Sequence, residues 1–518
     1  MHKLYSFMKY HLVLVTFLIL YLLFSFGTYK DYPISNGEEY RYLRGQETLD
    51  HFLHGEFKEK LIQPLPNYFL YNLYPLVLVA LNSNFYYEWF HLINIIFASL
   101  GFIAVYFLAL TIMKNRMSAL LCLLALVLFP GFFGQLAFNP VDMPFMVFYL
   151  LLLLALLRFS RRDTNHWSTL LLGLLFGVTQ GLRQLGFTLY LVMIILDFYD
   201  YYFSDPTLRK PLKEFLKNRI FKYIYIFVIA NLVMVITWPN FAINFFKSYY
   251  WYLLVGSNFY LWNFGLLFFG SFLENAQRPW YYLPFLQLIT YPLYITVFFL
   301  PVAAFFKTKL KDRTYFIVIV TVALNYALYL ILKPVLYDGI RHFLFLVPLV
   351  VLIAISNFVA ILKSTVRKWF KGALVLGVAL NFLILGAHTI RGFPYHYVYF
   401  NELAFAFGNP YKLFESDYSN TKYREAAEWI RDVYLKDESE YSHSNPDSML
   451  KVYPCDNAYA VDYFSYKKFL TVIHKENADM VLCDYRNLKQ SEYKGDIVKT
   501  FYLNGYDVLY LLRLSVPS

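Results

Sequence analysis

The sequence predicts a polytopic α-helical membrane protein of about eleven spans with a small α/β domain at its C-terminal end. Three observations carry that prediction. Apolar runs recur at lengths near 20 residues, enough to cross a hydrocarbon core of roughly 30 Å. Basic residues gather in every second loop between those runs. Beyond about residue 391 the long apolar runs stop and a more polar tail follows. Composition agrees. Of 518 residues, 59% are hydrophobic and 16% charged, against about 45–50% and ~25% in soluble domains, and the mean hydropathy is +0.44.

The runs lie at 11–28, 89–113, 117–134, 142–158, 167–184, 186–203, 220–238, 281–305, 314–332, 342–362 and 372–390. The stretch YFLYNLYPLVLVALNSN, around 67–83, is borderline and fits a re-entrant or interfacial segment as well. The first run has no small-residue cleavage site and reads as a retained helix rather than a signal peptide.

Orientation follows from Lys and Arg placement. With Lys3 and Lys9 in the cytoplasm, the same side receives the basic stretches at 114–116, 158–163, 208–222, 307–313 and 363–371. The other short loops carry few basic residues. The net charge of +11 is therefore largely an orientation signal and does not point to nucleic acid. An odd number of spans sends everything after about 391 to the outer face.

The tail reads as a domain of its own, 391–518, after a membrane part of 1–390. In TKYREAAEWIRDVYLK the residues Ala426, Ala427, Ile430, Val433 and Tyr434 recur at helical spacing. ADMVLCDY reads as a strand. VKTFYLNGYDVLYLLRL reads as two strands around Asn504-Gly505, a hairpin signal. Cys122 lies in an apolar run and reads as a packing residue. Cys455 and Cys483 can pair if the tail is exported, and their spacing alone leaves this open. No zinc-type spacing of Cys and His is present.

Polar residues that look out of place fall on the outer side. Asp31, Glu38 and Glu39 lie in a first outer loop of 29–88, Asp142 in FNPVDMPF, Arg183 in GLRQLG, and Lys333, Asp338, Arg341 and His342 in KPVLYDGIRHF. A second long outer loop, 239–280, ends in the run NAQRPWYYLP. Each has an ordinary reading. The glutamates fit a solvated loop, Asp142 after Pro140 fits a helix N-cap, Arg183 fits a snorkelling side chain, and His342 fits a helix start. Trp280 to Tyr282 fits an interface anchor. Their shared side favours a site, because charge at membrane depth is costly. No phosphate-binding Gly-rich loop, HExxH or GxSxG is present. An outer-face site has no ready nucleotide supply, so an activated donor there would be lipid-borne. Transfer from a lipid phosphate needs a carboxylate to accept a proton and cations to hold the departing phosphate.

Several stretches resemble the C-type (GT-C) membrane glycosyltransferases, specifically bacterial proteins of the family 39 group related to dolichyl-phosphate-mannose protein mannosyltransferases. FFGQLAFNPVDMPF (Phe132 to Phe145) is similar to that group's Asn-Pro-Lys-Asp-x-Pro-Phe stretch. RPWYYLPFLQLITYP (Arg278 to Pro292) resembles its Pro-Trp-Tyr-Tyr-x-Pro stretch, and LYDGIRHFLFLVP (Leu336 to Pro348) its Tyr-Asp-Gly-x-Arg-His loop. PYHYVYFNEL and FESDYSNTKYREAAEWI resemble the start of its exported domain.

The resemblance implies a GT-C-like polytopic fold in a bacterial inner (plasma) membrane. It implies an enzyme that moves a hexosyl or pentosyl group from a polyprenyl-phosphate donor to a protein, lipid or glycan acceptor on the outer face. Glu38 is then expected to act as acceptor base, with Asp142 orienting or assisting. Arg341, with Arg183 and His342, is expected at the donor phosphate, and Asp338, Glu39 and Asp31 are supporting candidates. Cofactor requirement stays open. A divalent cation is compatible with such chemistry, but no ligand spacing marks a site.

The sequence departs from the pattern at three places: Gly37 stands at the expected Asp of an Asp-Glu pair, Val141 at the Lys of Asn-Pro-Lys-Asp, and Ser419 where Trp usually follows Asp-Tyr. Two alternatives follow: a catalytically silent relative that binds lipid-linked glycan, and a lipid or solute transporter. The transporter predicts internal repeats, and none is seen.

Overall fold

A computed structural model describes residues 10–55, 73–81, 86–159, 166–203, 211–257, 265–300, 311–438, 441, 448–491 and 495–514. The helices run α1 (Leu12–Thr28), α2 (Glu38–His54), α3 (Leu73–Leu81), α4 (Tyr87–Met113), α5 (Arg116–Val127), α6 (Asp142–Phe159), α7 (His166–Leu182), α8 (Thr188–Tyr202), α9 (Leu212–Thr237), α10 (Phe245–Ser257), α11 (Tyr282–Thr290), α12 (Leu293–Phe299), α13 (Arg313–Leu332), α14 (Val347–Lys363) and α15 (Lys368–Gly392).

Among the described residues seven helical segments are long and apolar enough to cross a membrane: Tyr87–Met113, Asp142–Phe159, Gln184–Tyr202, Leu212–Thr237, Arg313–Leu332, Arg341–Lys363 and Lys368–Gly392. An eighth is added if α5 and the following Pro130–Phe138 segment, bent by 75°, form one span. They make this a polytopic integral membrane protein. The bend sits where Phe129 is extended and Pro130 opens the next helical turn; proline excludes the helical conformation from the residue before it. α1 and α7 have 17 residues each. The expected span 281–305 is likewise broken, because Pro292 follows an extended Tyr291 and separates α11 from α12. The rest of that span, and residues 67–72 and 82–83 of the borderline stretch, lie outside the described residues, and the middle of that stretch forms α3.

Close helix packing is written in one place by glycine. α7 carries Gly173, Gly177 and Gly181 at four-residue spacing. A Cβ at Gly173 would lie 2.7 Å from Ile229 Cβ, and one at Gly177 would lie 2.6 Å from Val233 Cβ and 2.8 Å from Ala230 O. α7 and α9 therefore meet backbone to side chain, the small-xxx-small arrangement of membrane helices. Gly177→Val is expected to destabilise the chain by about 1–3 kcal/mol or more through overpacking, read as a lowered thermal midpoint in detergent. A midpoint equal to wild type would show that α9 yields without cost.

Beyond α15 the chain forms an α/β unit with a five-stranded sheet in the order β4-β3-β5-β7-β6. The strands are β3 (Lys451–Pro454), β4 (Leu470–Thr471), β5 (Met480–Asp484), β6 (Gly495–Leu503) and β7 (Tyr506–Leu514), preceded by a small hairpin of β1 (Leu266–Phe268) and β2 (Ser271–Leu273) from the second long loop. β3 runs parallel to β4 and β5, and β7 antiparallel to β5 and β6. β5 is buried at all five positions, as a central strand of continuous apolar sequence should be. Asn504 and Gly505 both have positive φ, 51° and 85°, the requirement of a type I′ turn.

The expected helix over 421–436 forms as α16 (Tyr423–Trp429), then passes through a π-helical turn, Ile430–Tyr434. Ala426, Ala427 and Ile430 are buried, but Val433 is 44% exposed; the wider turn rotates the face beyond Ile430. Two further helices, α17 (Ala458–Ser465) and α18 (Tyr485–Ser491), flank the sheet. Cys455 and Cys483 form a disulfide between the end of β3 and β5, with Cα atoms 5.0 Å apart. Cys122 is free and buried.

This unit is fastened to the first loop. Arg424 Nη1 donates to the carbonyls of Lys30, Asp31 and Tyr32 at 3.1, 3.2 and 3.3 Å. Asn457 Nδ2 donates to Ile34 O at 3.0 Å, Asn36 Nδ2 to Asp456 Oδ1 at 2.8 Å, and Asn36 N to Ser419 O at 2.9 Å. Segment 30–36 thus spends several of its polar groups on the C-terminal unit, while the Ser35 hydroxyl donates to Phe138 O at 3.0 Å. Gly134 receives the incoming backbone of Tyr397, whose N would lie 2.5 Å from any Cβ there.

Candidate active site

The first loop turns at Gly37, whose φ of +90° places it where side chains are strained and glycine is not. That turn starts α2 and sends Glu38 inward. Glu38 is fully buried. Its Oε2 accepts the Ser35 backbone N–H at 2.5 Å, and its Oε1 faces His91 Nε2 at 3.0 Å. His91, on α4, has its Nδ1 3.3 Å from Tyr29 O. A carbonyl only accepts, so that contact needs a proton on Nδ1, and the Nε2–Oε1 contact then needs a second one. Glu38 is therefore committed to a hydrogen-bonded pair that pins the loop to α4.

The rim of the turn is different. Ser35, Asn36, Gly37, Arg41, Asn139, Pro140, Val141, Arg341 and Ser419, with Phe138, line a small cavity of about 40 Å³. Two guanidiniums belong to that lining and no carboxylate does. The Cβ direction of Gly37 meets nothing within 4 Å. Asn139 organises the neighbouring turn. Its Oδ1 accepts the N–H groups of Val141 and Asp142 at 3.2 and 2.8 Å, and its Nδ2 donates to Asp142 Oδ2 at 3.1 Å. Asn139 therefore caps α6. Asp142 is instead released to pair with Arg183 across the gap between α6 and α7, and only 2% of it is exposed.

A second ion pair lies in the loop before α14. Asp338 and Gly339 have φ of 58° and 66°, and this turn brings Asp338 Oδ2 to 2.6 Å from Arg341 Nη2. The C-terminal unit closes over it. Glu415 Oε2 accepts the Gly339 N–H at 2.9 Å. Arg486 of α18 places Nη1 3.9 Å from both Asp338 Oδ1 and Glu415 Oε1, and Nη2 3.8 Å from Asp456 Oδ2. Burial pushes the Glu415 carboxyl up to about 7, with the Asp338 charge adding and Arg486 opposing. Burial also raises Asp338, against the guanidiniums of Arg341 and Arg486.

The Glu415 shift sets a sign. Its ordinary value is 4.5 and its folded value is higher, so the folded chain holds this proton more tightly than the unfolded chain. The corresponding stability is full below about pH 4.5 and is lost as pH rises through about 7. Glu415→Gln cannot ionise and still accepts the Gly339 N–H. It should be more stable than wild type at pH 8, by up to about 3 kcal/mol, with the difference vanishing toward pH 4.5. Thermal midpoints at the two pH values check this; a variant less stable than wild type at pH 8 would overturn it.

Of the residues expected from sequence, Asp142 with Arg183 and Asp338 with Arg341 are brought together, and Arg341 reaches the cavity beside Gly37. Glu38 is brought to His91 instead. Glu39, half-buried, is raised by burial and by Asp462 of α17. Asp31 is exposed and contributes only its backbone carbonyl to Arg424. His342 is buried against the Tyr337 ring, with centroids 4.5 Å apart. Trp280 and Tyr281 are exposed, whereas Tyr282 is buried.

Arg41, His91, Asn139, Glu415 and Arg486 were not anticipated. Arg41 sits one turn into α2, four residues from Gly37, and a reading of 29–88 as a loop gave it no mark. Glu415 and Arg486 had none, being ordinary charges in a polar tail. Among the described residues no group of three or more His, Cys, Asp or Glu side chains is arranged to hold a metal ion. A larger, apolar cavity of about 470 Å³ lies between α11, α12, α13 and α14. Leu288, Ile295, Ile319, Val350 and Ile353 line it, with Gln287, Tyr291, Thr296 and Tyr326 among its polar members.

No protein-family model matches the sequence, and no curated protein sequence matches it. Among solved structures the chain is similar to ArnT from Cupriavidus metallidurans bound to undecaprenyl phosphate. That similarity has 12% identity, a TM-score of 0.46, and covers 96% of this chain and 97% of that one. It is also similar to the archaeal oligosaccharyltransferase AglB from Archaeoglobus fulgidus in complex with an inhibitory peptide and a dolichol-phosphate, at 12% identity and TM-score 0.47, over 92% of this chain and 69% of that one.

Proposed function

We propose that this protein is a membrane glycosyltransferase that moves a sugar from a polyprenyl-phosphate donor to an acceptor on the outer face of the membrane. The observation that carries this reading is the pairing of two cavities. A small polar one is lined by Arg41 and Arg341 without a carboxylate. An apolar one at membrane depth includes Val350 and Ile353, one and two helical turns beyond the Arg341–Leu346 segment. The first suits a phosphate, since guanidinium forks match its oxygens; the second suits part of an isoprenoid chain. In this reading Arg341 and Arg41 hold the donor phosphate, Asp142 and Arg183 set the cavity wall, and Glu38 is the candidate acceptor base. Hexosyl or pentosyl transfer and the nature of the acceptor belong to the same proposal.

A second reading has an observation of its own. Glu38 is tied to His91 and Ser35, and Gly37 leaves the cavity rim without a carboxylate. This favours a chain that binds a lipid-linked sugar without transferring it.

One experiment separates them. Reconstituted protein is given a labelled polyprenyl-phosphate sugar with a mixture of peptide, lipid and glycan acceptors. Binding and turnover are measured together, for wild type and for Arg41→Ala and Arg341→Ala. Turnover supports the enzyme, and binding without turnover the silent relative. Each arginine variant should weaken donor binding by about 1.5–3 kcal/mol, the worth of a charge-assisted hydrogen bond. Wild-type affinity in both would remove the phosphate assignment.

A further inference from the structure

The contact between Asp338 and Arg341 presents a problem for anion binding. Asp338 is 5% exposed. Arg341 lines the cavity while it pairs with Asp338, so an anion bound there competes for the same guanidinium, and a buried carboxylate whose partner is drawn away is expensive. A second cation stands ready. Arg341 takes Oδ2 of Asp338, and Arg486 Nη1 lies 3.9 Å from the other oxygen, Oδ1. That distance is within ion-pair range and beyond hydrogen-bond reach. Arg486 Nη1 and Glu415 Oε1 are both buried and have no hydrogen-bond partner among the described residues, so the guanidinium has a donor in reserve. It is held off Asp338 by Glu415 and Asp456 at similar distances and by the charge of Asp484 at the end of β5.

We propose that Arg486 is a positioning residue that takes over Asp338 when Arg341 engages a lipid-linked phosphate, so that the C-terminal unit governs anion affinity in the membrane part. The proposal rests on the phosphate reading above. Arg486 lies on α18, past the β5 strand, and touches nothing in the polar cavity itself. It acts through Asp338. The groups that face Asp338 are Arg341 on its own loop, Glu415 and Arg486 from the C-terminal unit, Asp142 from the start of α6, and the Tyr282 and Tyr418 hydroxyls. Those that face Glu415 are Asp338, Arg341, Arg486, Tyr282 and Tyr418. Of these, Arg486 and Arg341 are the only cations named, so removing Arg486 leaves Arg341 to serve both carboxylates. Binding an anion then demands that Asp338 take up a proton, which links affinity to pH.

The test uses the full chain in detergent, undecaprenyl phosphate as probe, inorganic phosphate as a headgroup-only control, and pH 6 and 8. Arg486→Gln should weaken undecaprenyl phosphate binding about tenfold or more at pH 8, with a smaller deficit at pH 6. Adding Asp338→Asn to Arg486→Gln should restore affinity to within about threefold of wild type, since the carboxylate that Arg341 gives up is gone and Glu415 keeps the Gly339 N–H. Arg486→Lys should bind better than Arg486→Gln.

Wild-type affinity in Arg486→Gln at pH 8 overturns the proposal. So does a double variant that stays as weak as Arg486→Gln. If Arg486→Gln does not fold, Asp338→Asn is compared with the double variant: equal affinity supports the proposal, and a loss in the double overturns it. Wild-type protein that binds no undecaprenyl phosphate sinks the phosphate reading, whereas wild-type binding with insensitivity to Arg486 sinks only this inference.

Discussion

Replacing Glu38 with alanine is expected to cost about 2–6 kcal/mol of stability, roughly 1–3 kcal/mol for each of two buried hydrogen-bond partners left unmade, and to abolish transfer. Glu38 is fully buried, so nothing from solvent replaces what it gives up. Its loss strands two polar partners, the Ser35 N–H and His91 Nε2, each of which is costly to bury unmade. The loop 35–38 then loses the tie of Glu38 to α4 and keeps the Ser35 Oγ–Phe138 O bond and the contacts of Asn36 with Asp456 and Ser419. Glu38→Gln separates structure from chemistry. The amide oxygen still accepts from Ser35, and the amide nitrogen can donate to His91, so the thermal midpoint should stay close to wild type. If Glu38 is the acceptor base, transfer by the glutamine variant falls by about 10²–10⁴, the range of general-base catalysis, while donor affinity holds. Undiminished transfer in a folded Glu38→Gln would make Glu38 a clamp for the loop and leave the base elsewhere.

The second large effect belongs to Arg183. Asp142 is 2% exposed and meets Arg183 on one side and Asn139 on the other. Arg183→Ala leaves that carboxylate with Asn139 and its capping turn only, at an expected cost of about 3–5 kcal/mol. The expectation is asymmetric. Asp142→Asn together with Arg183→Met removes both charges, and should be less damaging than Arg183→Ala alone, because an ion pair replaced by uncharged groups of similar volume is often near neutral. Thermal midpoints of Asp142→Asn, Arg183→Met and the double variant give the coupling directly. A double variant no more stable than Arg183→Ala would show that Arg183 serves something other than Asp142. Transfer should fall in all three, because Asn139, Pro140 and Val141 line the polar cavity and Asp142 anchors their turn.

The helix set could be read in the sequence because it follows from solvent. A run of about 20 apolar residues has one stable arrangement in a bilayer, so length and hydropathy suffice. The hairpin at Asn504-Gly505 was legible for a similar reason, since two successive positive φ values select those residues. Proline placed the breaks at Phe129 and Tyr291, although their angles depend on what the broken ends pack against. The pairing of Asp338 with Arg341 was within reach too, being three residues apart on one turn.

What the sequence by itself determined is therefore local: where the chain is apolar for long enough to span, where it breaks, and that a small α/β unit follows the last long apolar run. Tertiary structure alone decided what those polar residues do. The neighbours of Glu38 and Asp142 come from other helices, His91 on α4 and Arg183 at the end of α7, and no spacing rule encodes such contacts. Gly37 looked like a lost aspartate, and the fold makes it a turn with φ of +90° that aims Glu38 at α4 and leaves the cavity rim to Arg41 and Arg341. Arg486 and Glu415 carried no mark at all in the sequence. Their buried charges acquire meaning only because the C-terminal unit docks on the loop before α14, where low dielectric makes the position of each charge matter.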